Sequence, residues 1–429
     1  MTKTDPKTTK TAIKLLNPNL VFISVPGEYA VYEASTALEE NCNVMMASSN
    51  ITLDDEVNLK KKAVQKGLLL MGPDASTALI NGKGIGFSNV VKRGSIGIVG
   101  ACSAAIQSAA VIVDKEGLGV SHAISTGSRD MSAAVAGIMT EYAVNILSED
   151  DGTKLIIVLA KYVNKVAADK LMDYLGTLRK QFVVCFTGFS TEKEIPKNVV
   201  ITKTVDQAAL YACALVKRER LELVSLKTEK NERMINKYIE EELVKFHPTA
   251  KYLRALYSGG SFANEAVSIL KDDVNDLYSN FKGAKSLPDI RKSYCNTVID
   301  MGDYDILKED IHPIVDYSKR CERILKETEE ESTAVILLDV VLGYNACSNP
   351  AEFLAPTIKK AKEFLKDRGR NITFIVYICG SDKDVQKFSE QKEAFEASGA
   401  IVMPTNASAV KLASGILQKL KERKPALAI

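Results

Sequence analysis

The sequence contains no tryptophan and only three histidines among its 429 residues. Its eight cysteines stand singly, with no CxxC pair, so neither a zinc knuckle nor a dithiol redox motif is predicted. The acidic cluster at 300–305 fits no defined metal loop, and no metal is expected. Lysine and arginine total 56 against 54 acidic residues, a net charge of +2, which leaves no basic excess for holding nucleic acid.

Long hydrophobic runs are also missing. No apolar segment approaches the roughly 20 residues needed to span a bilayer, and residues 1–14 lack the apolar core of a secretory signal. Hydrophobic residues make up 46% of the chain, enough for an ample core in a chain of this length. With single cysteines that suit a reducing compartment, we expect a cytoplasmic protein that binds small molecules and has no membrane partner.

Short apolar runs alternate with helical stretches along the chain, and this pattern predicts the α/β class with three parallel-sheet units. The glycine-rich segment 81–87 is predicted as a connection, and a helix is predicted over 132–147. The predicted divisions are a flexible N-terminal arm (1–17), a first unit (18–92), a second unit (93–225), a charged, solvated linking helix (226–250) and a third unit (251–429).

Two strand-to-helix corners are candidate anion sites. In each, at 95–107 and 257–265, an apolar run ends at glycine and small residues before a helix begins. The first N–H groups of a helix have no partner within the helix, and its dipole favours an anion there. The corners predict a phosphate site formed by the backbone of Ala101, Cys102, Ser103, Gly259, Gly260 and Ser261.

Two further loops follow predicted strands of the first unit. Ligands of parallel sheets gather beyond the carboxyl ends of the strands, so these loops are expected on one rim. The rim predicts a cofactor site at Pro26, Gly27, Glu28, Gly72, Pro73 and Asp74.

Three side chains are candidates for chemistry. Arg129 follows a strand and would clamp a phosphate or carboxylate; alternatively it forms a surface pair with Asp130, and Asp130 or Ser132 caps the next helix. Asn345 lies in the matching loop of the third unit and would donate to an oxyanion. His312 has acidic neighbours and is a candidate acid or base, with a His-Pro turn as the alternative.

Longer runs of the chain resemble the FdrA family, whose members are similar to acyl-CoA synthetases and related to succinyl-CoA synthetase. The resemblance covers about residues 18–420, in the family's order. The runs that carry it are 72–74, 86–100 and 121–130, then 256–261, 298–303, 312–316 and 337–344.

The resemblance implies an identity for each unit. Residues 18–92 resemble a shortened Rossmann-like CoA-binding domain, residues 93–225 the flavodoxin-like ligase domain of the synthetase α subunit, and residues 251–429 that of its β subunit. In that enzyme two helix N-termini, one from each ligase domain, point at one phosphate, and the two corners hold the matching positions. The region matching its phosphohistidine loop, 187–193, contains no histidine, and no ATP-grasp domain is expected.

The resemblance also implies a function: formation or use of an activated acyl or carbamoyl phosphate at a site between the two ligase domains. The chain would be one subunit of an oxamate carbamoyltransferase-type complex in purine and allantoin catabolism, with partner subunits encoded nearby or as a homo-oligomer. Phosphate or an acyl or carbamoyl phosphate would be the ligand, and CoA binding stays open. One alternative is a succinate-type acyl-CoA ligase without its own ATP-grasp domain or phosphohistidine; another is a non-catalytic binding or scaffold subunit.

Overall fold

A computed structural model describes residues 6–307 and 310–423. The chain divides into two compact units. From here on, the first unit is residues 1–87 with 92–216, and the second unit is residues 88–91 with 217–429. Within the described residues one three-stranded and two seven-stranded sheets are formed, all largely parallel, which confirms the predicted α/β class. The three predicted domains (18–92, 93–225 and 251–429) stay predictions, and residues 1–5, 308–309 and 424–429 lie outside the described part.

The first unit alternates helices and strands. Its helices are α1 (Thr9–Leu16), α2 (Gly27–Glu39), α3 (Leu53–Gln65), α4 (Ser103–Lys115), α5 (Ile138–Glu149), α6 (Lys165–Thr177) and α7 (Val205–Lys217). Its strands are β1 (Leu20–Ile23), β2 (Asn43–Met46), β3 (Leu70–Met71), β4 (Thr77–Ile80), β5 (Lys83–Gly86), β6 (Arg93–Gly100), β7 (Val120–Ser125), β8 (Leu155–Ala160), β9 (Gln181–Phe186) and β10 (Val199–Thr202).

The three-stranded sheet has the order β1-β2-β3 and is covered by α2 and α3. The prediction of a flexible N-terminal arm over 1–17 is wrong for residues 9–16, because these residues form helix α1. Thr8 caps this helix by accepting the N–H of Thr11, and Ile13 is buried in the core beneath the sheet's helices. A reciprocal cap and one anchored apolar side chain therefore order a segment whose composition alone suggested flexibility.

The first seven-stranded sheet has the order β10-β9-β8-β6-β7-β4-β5, in which β4 runs antiparallel to both of its neighbours. The connection predicted over 81–87 is wrong, because β5 occupies most of it. Asn81 and Gly82 have φ of 55° and 76°, the conformation of a two-residue hairpin turn, and Asn-Gly is its preferred sequence. The predicted helix 132–147 begins only at Ile138, after a run of turns.

The second unit has a single parallel sheet of order β13-β12-β14-β11-β15-β16-β17. Its helices are α8 (Glu222–Leu243), α9 (Gly260–Leu270), α10 (Tyr304–Leu307), α11 (Ser318–Glu329), α12 (Pro350–Lys366), α13 (Phe388–Ala397) and α14 (Asn406–Glu422). Its strands are β11 (Tyr252–Tyr257), β12 (Leu277–Ser279), β13 (Lys285–Ser286), β14 (Asn296–Asp300), β15 (Thr333–Val341), β16 (Thr373–Cys379) and β17 (Ile401–Met403).

Helix α8 replaces the predicted solvated linking helix. It begins earlier and packs along α14 within the second unit. Ile235 and Ile239, spaced one helical turn apart, are buried. The dense charges hid this apolar stripe, because only one face of a helix needs apolar residues in order to pack.

Both seven-stranded sheets reverse their strand order at one strand. In the first unit β7 lies on one side of β6 and β8 on the other; in the second, β14 and β15 flank β11. Ligands of such sheets bind beyond the carboxyl ends of the strands at this switch point. The 100–103 corner follows β6 and the 258–261 corner follows β11, so each predicted corner lies at the switch point of its own sheet.

Candidate functional site

The predicted cofactor loops of the first unit meet along one edge. The hydroxyl of Ser48 donates to the carbonyl of Val25 at 2.5 Å, and the N–H of Asp74 donates to the carbonyl of Ser48 at 3.0 Å. The loop after β2 thus joins the loops after β1 and β3. The structure brings together the six predicted residues Pro26, Gly27, Glu28, Gly72, Pro73 and Asp74 along this rim.

The two glycines of this rim have a structural explanation. A Cβ on Gly27 would lie 2.3 Å from the carbonyl oxygen of Ser49, and one on Gly72 would lie 2.4 Å from that of Met46. Gly72 also has φ of +115°, which side chains rarely adopt. Both positions need glycine whether or not a cofactor binds, so the cofactor role of the rim stays a prediction.

The first corner joins β6 to α4. Cys102 stands at the N-cap and provides no side-chain cap; its role in holding phosphate stays a prediction. The N–H of Ala101 donates to Leu159 in the neighbouring strand at 2.9 Å, and this part of the phosphate prediction is wrong because that donor is used by the sheet. The hydroxyl of Ser103 accepts the N–H of Ser76 at 3.0 Å, which ties the corner to the chain just after the rim.

Arg129 is held by groups that sequence reasoning missed. Its Nε donates to Glu56 at 2.9 Å and its Nη2 to the carbonyl of Ile51 at 2.9 Å, so the guanidinium faces the loop after β2. The alternative of a surface pair with Asp130 is wrong. Asp130 is fully buried and accepts the N–H and hydroxyl of Thr140 at 2.7 and 2.6 Å, which caps α5 as that alternative expected. The acyl-orienting role of Arg129 stays a prediction.

Lys60 completes this buried cluster. Its ammonium donates to Glu56 and to Asp130, both at 2.7 Å, and all three side chains have 0% exposure. Two carboxylates thus share one buried cation, and the partly exposed Arg129 balances the second charge. A buried charge is tolerated only when paired and hydrogen-bonded, and here the pairing fixes α3 against the loop after β7.

The second corner joins β11 to α9. The N–H groups of Ser258 and Gly259 donate to the carboxylate of Asp339 at 2.7 and 2.8 Å, and the Ser258 hydroxyl adds a bond of 3.0 Å. Gly259 is the N-cap, without a side-chain cap. Its predicted donation to phosphate is wrong, because the N–H already has an acceptor; the N–H groups of Gly260 and Ser261 stay candidates.

His312 lies directly beside this corner. A Cβ built on Gly302 would come within 2.4 Å of His312 Nε2 and within 2.9 Å of the carbonyl oxygen of Ser258. The imidazole therefore covers the turn after β14, next to the start of α9. Its Nδ1 accepts the N–H of Ile314 at 3.2 Å, which places the proton of the neutral ring on Nε2.

Asn345 lies in the loop after β15, on the same edge as the second corner because β15 pairs in parallel with β11. Its side chain is exposed, and its backbone has φ of 63°. Its role as an oxyanion donor stays a prediction.

Asp339 and Arg320 are the residues that sequence reasoning missed. Asp339 lies inside an otherwise apolar strand, and Arg320 pairs with it at 3.0 Å; both have 0% exposure. Nearby, burial raises the pKa of Tyr257, and the charge of Asp339 raises it further. The available signal was a lone acidic residue within the apolar run 334–341, where an unpaired charge is too costly to occur.

A cavity of about 840 Å³ opens at the opposite, amino edge of the second sheet, where Tyr252, Asn296 and Leu417 are among its lining residues. It lies away from the corner and from His312. Within residues 6–307 and 310–423, no group of three or more histidine, cysteine or acidic side chains is placed to hold a metal ion. In the same ranges no helix is long and apolar enough to cross a membrane.

The second unit matches a known domain. Residues 256–416 fit the CoA-ligase family model, a range that contains the corner, His312 and Asp339. The chain therefore carries a CoA-ligase domain. Over 408 residues it is 34% identical to the Escherichia coli K12 protein YahF, described as uncharacterized, in an alignment that covers 94% of this chain and 78% of YahF. The chain belongs to the same family as YahF.

Two solved structures share a weaker similarity. The dinucleotide-forming acetyl-coenzyme A synthetase 1 of Candidatus Korarchaeum cryptofilum, in complex with phosphate and ADP, is 13% identical with a TM-score of 0.37, covering 94% of this chain and 83% of that one. The Methanothrix soehngenii ATP citrate lyase, in complex with citrate and coenzyme A, is 13% identical with a TM-score of 0.41, over 48% and 40%. Scores this low carry no argument about the chain.

Proposed function

We propose that this chain transfers an acyl or carbamoyl group to or from phosphate, with the phosphate held at the second corner. The observation that carries the proposal is the convergence of His312 with the uncapped start of α9, inside the range that matches the CoA-ligase family. Gly260 and Ser261 supply two N–H groups for which no acceptor is recorded within the described residues.

The chemistry follows from these donors. A phosphate oxygen attacks the carbonyl carbon of the acyl or carbamoyl donor, and the bond from that carbon to the leaving sulfur or nitrogen breaks. The leaving group takes the proton that phosphate gives up. Fixed N–H groups and the helix dipole stabilise the negative charge on phosphate and on the developing oxyanion. His312 contributes from the same side, because its imidazole lies against the turn beside the start of α9.

The carbamoyl form of this reaction moves the carbamoyl group of oxalurate to phosphate and releases oxamate and carbamoyl phosphate. The resemblance to FdrA motivates this choice of substrate. Under this form the chain acts as one subunit of a larger complex, and carbamoyl phosphate is the ligand to test first.

The rim of the first unit supports a second candidate, an acid–CoA ligase. The start of α2, at Gly27, has no side-chain cap and could hold a diphosphate, and Tyr29 next to it is exposed. The carboxylates of Glu28 and Asp74 also lie on this rim and disfavour an anion. When bound there, CoA would supply a thiol to accept the acyl group, and ATP chemistry would come from another chain.

Two matched variants of Gly260 test the phosphate site. Proline is favoured at the first position of a helix, and the extended backbone of Gly259 (φ −108°, ψ 108°) suits a residue before proline. Gly260→Pro removes one N–H, whereas Gly260→Ala retains it and adds a methyl group. We expect phosphate and carbamoyl phosphate, measured by calorimetry in a phosphate-free buffer, to bind about tenfold more weakly to G260P than to G260A.

The outcomes separate the candidates. Equal affinity of G260P and G260A for phosphate contradicts the proposed site. Stabilisation of the wild-type protein by CoA, with none by carbamoyl phosphate, favours the ligase. A protein that none of these ligands stabilises is a scaffold subunit.

A further inference from the structure

The buried carboxylate of Asp339, which pairs with Arg320, both orients the second corner and disfavours an anion there. Asp339 accepts three hydrogen bonds from Ser258 and Gly259, and this fixes the orientation of the peptide groups that lead into α9. The next two N–H groups, of Gly260 and Ser261, are thereby aimed as well. However, a carboxylate behind a helix N-terminus opposes the positive end of the dipole and repels any anion bound in front of it.

Arg320 is placed to cancel that charge. Its Nη2 donates to Asp339 Oδ1 at 3.0 Å and to the carbonyl oxygens of Asp339 and Leu256, both at 2.8 Å. It therefore links β11 to β15 two residues before the corner. Its Nε and Nη1 have no hydrogen-bond partner within the described residues, and the guanidinium lies 5.4 Å from the ring centroid of Tyr317.

A buried ion pair of Arg320 and Asp339 is an inefficient way to stabilise the fold, if stability is its only role. Burying a charged pair costs free energy because both ions lose their hydration, and apolar residues of similar volume often stabilise a protein equally well or better. Here Arg320 Nε and Nη1 are buried without hydrogen-bond acceptors. Leu256 and Tyr317, which lie next to Arg320, belong to a large apolar cluster, so an apolar side chain would suit this position. The carboxylate is needed to orient the corner, and the cation is needed because the carboxylate is there.

We infer that Asp339 and Arg320 are positioning residues of the phosphate site: Asp339 orients the backbone of the corner, and Arg320 neutralises Asp339 so that an anion can bind. This inference rests on the proposed function. Neither side chain is expected to touch the phosphate, because both are fully buried.

The test compares single and paired charge removal. R320M leaves the Asp339 charge uncompensated, and R320M/D339N removes both charges while retaining an oxygen acceptor at position 339. Inorganic phosphate affinity is measured by calorimetry on the full chain, and the melting temperature by circular dichroism. We expect R320M to bind phosphate about tenfold more weakly than wild type. The double variant keeps only one of the two Asp339 oxygens that accept the N–H groups of the corner, so we expect it to bind phosphate about threefold more tightly than R320M without returning fully to wild type.

R320K is a second test variant, which replaces R320M if R320M does not fold. A lysine keeps the charge but loses the planar fork and the cation–π contact of the guanidinium with Tyr317. We expect its melting temperature to fall while its phosphate affinity stays within about threefold of wild type. If Arg320 has a purely structural role, phosphate affinity should instead fall together with the melting temperature in every variant.

The two proposals fail in different ways. If the wild-type chain binds no phosphate, or if G260P and G260A bind it equally, the proposed function fails and this inference with it. If those variants behave as expected but R320M binds phosphate as tightly as wild type, or the double variant stays as weak as R320M, only the positioning inference is overturned.

Discussion

The two corners have the same strand, turn and helix start, but they are built on different supports. At the first corner the sheet uses the N–H of Ala101, and Ser103 ties the helix to Ser76. The N–H of Thr126 donates to the carbonyl of Gly100, and the buried Lys60 donates to the carbonyl of Thr126. At the second, a carboxylate accepts the N–H groups before the helix, and a histidine covers the neighbouring turn. Similar sequence logic therefore leads to two different environments: the second corner has N–H groups oriented by a carboxylate and a histidine beside it.

The buried cluster of Lys60, Glu56 and Asp130 in the first unit should give the largest change in stability. Lys60→Met leaves Glu56 and Asp130 buried around a missing cation, so we expect a loss of about 3–5 kcal/mol in the free energy of unfolding. Urea denaturation of the full chain measures this loss. Lys62→Met on the same helix is the control: its pair with Glu39 is exposed to solvent and should contribute far less to the free energy of unfolding than the buried cluster. Similar losses in both variants contradict the charge-burial explanation.

His312 sharpens the contrast between the corners. His312→Ala removes the imidazole beside the corner, and we expect phosphate affinity to fall about tenfold, the value of a hydrogen bond to a charged group. His312→Gln restores an N–H near the same position and should stay within about threefold of wild type. Calorimetry with inorganic phosphate measures both variants. A glutamine variant as weak as the alanine variant assigns His312 a packing role instead.

Proline at the first corner gives a smaller predicted change. Ser103→Pro removes the first N–H of α4 as well as the hydroxyl that accepts Ser76; Ser103→Ala removes only the hydroxyl. We expect S103P to bind phosphate about threefold more weakly than S103A, less than the difference between G260P and G260A. If the Ser103 pair shows the larger difference, the comparison is reversed and the first corner is the main anion site.

The smallest effect concerns Asp150, at the amino edge of the first unit's sheet. The hydroxyl of Thr153 and the N–H of Gly152 hold its pKa below the usual 3.8. A lowered carboxyl pKa stabilises the folded state above the pKa of the unfolded chain, and this stabilisation is lost as the pH falls through the folded value. The melting temperature of Asp150→Asn should therefore lie below that of wild type at pH 7, and the gap should close below about pH 4. Phosphate affinity should not change.

Much of the architecture could be predicted from local patterns. Apolar runs of strand length mark the buried strands, such as β15, because a strand covered on both faces needs no polar alternation. The hairpin after Ile80 was also readable, since Asn-Gly is a specific turn signal, but its glycines were mistaken for a loop. Helix α8 was missed as a packed helix because its buried positions are few among many charges.

What the chain by itself determined is most of the order of strands and helices and the two strand-to-helix corners, because hydrophobic periodicity and glycine act within a few residues. The partners of the corners are long-range: Asp339 is 81 residues from Ser258, and Glu56 is 73 from Arg129. No local pattern specifies which buried charge meets which donor, because that choice depends on which strand ends become neighbours. The tertiary structure alone decided that Arg129 turns toward Glu56 and that Asp339 orients the start of α9.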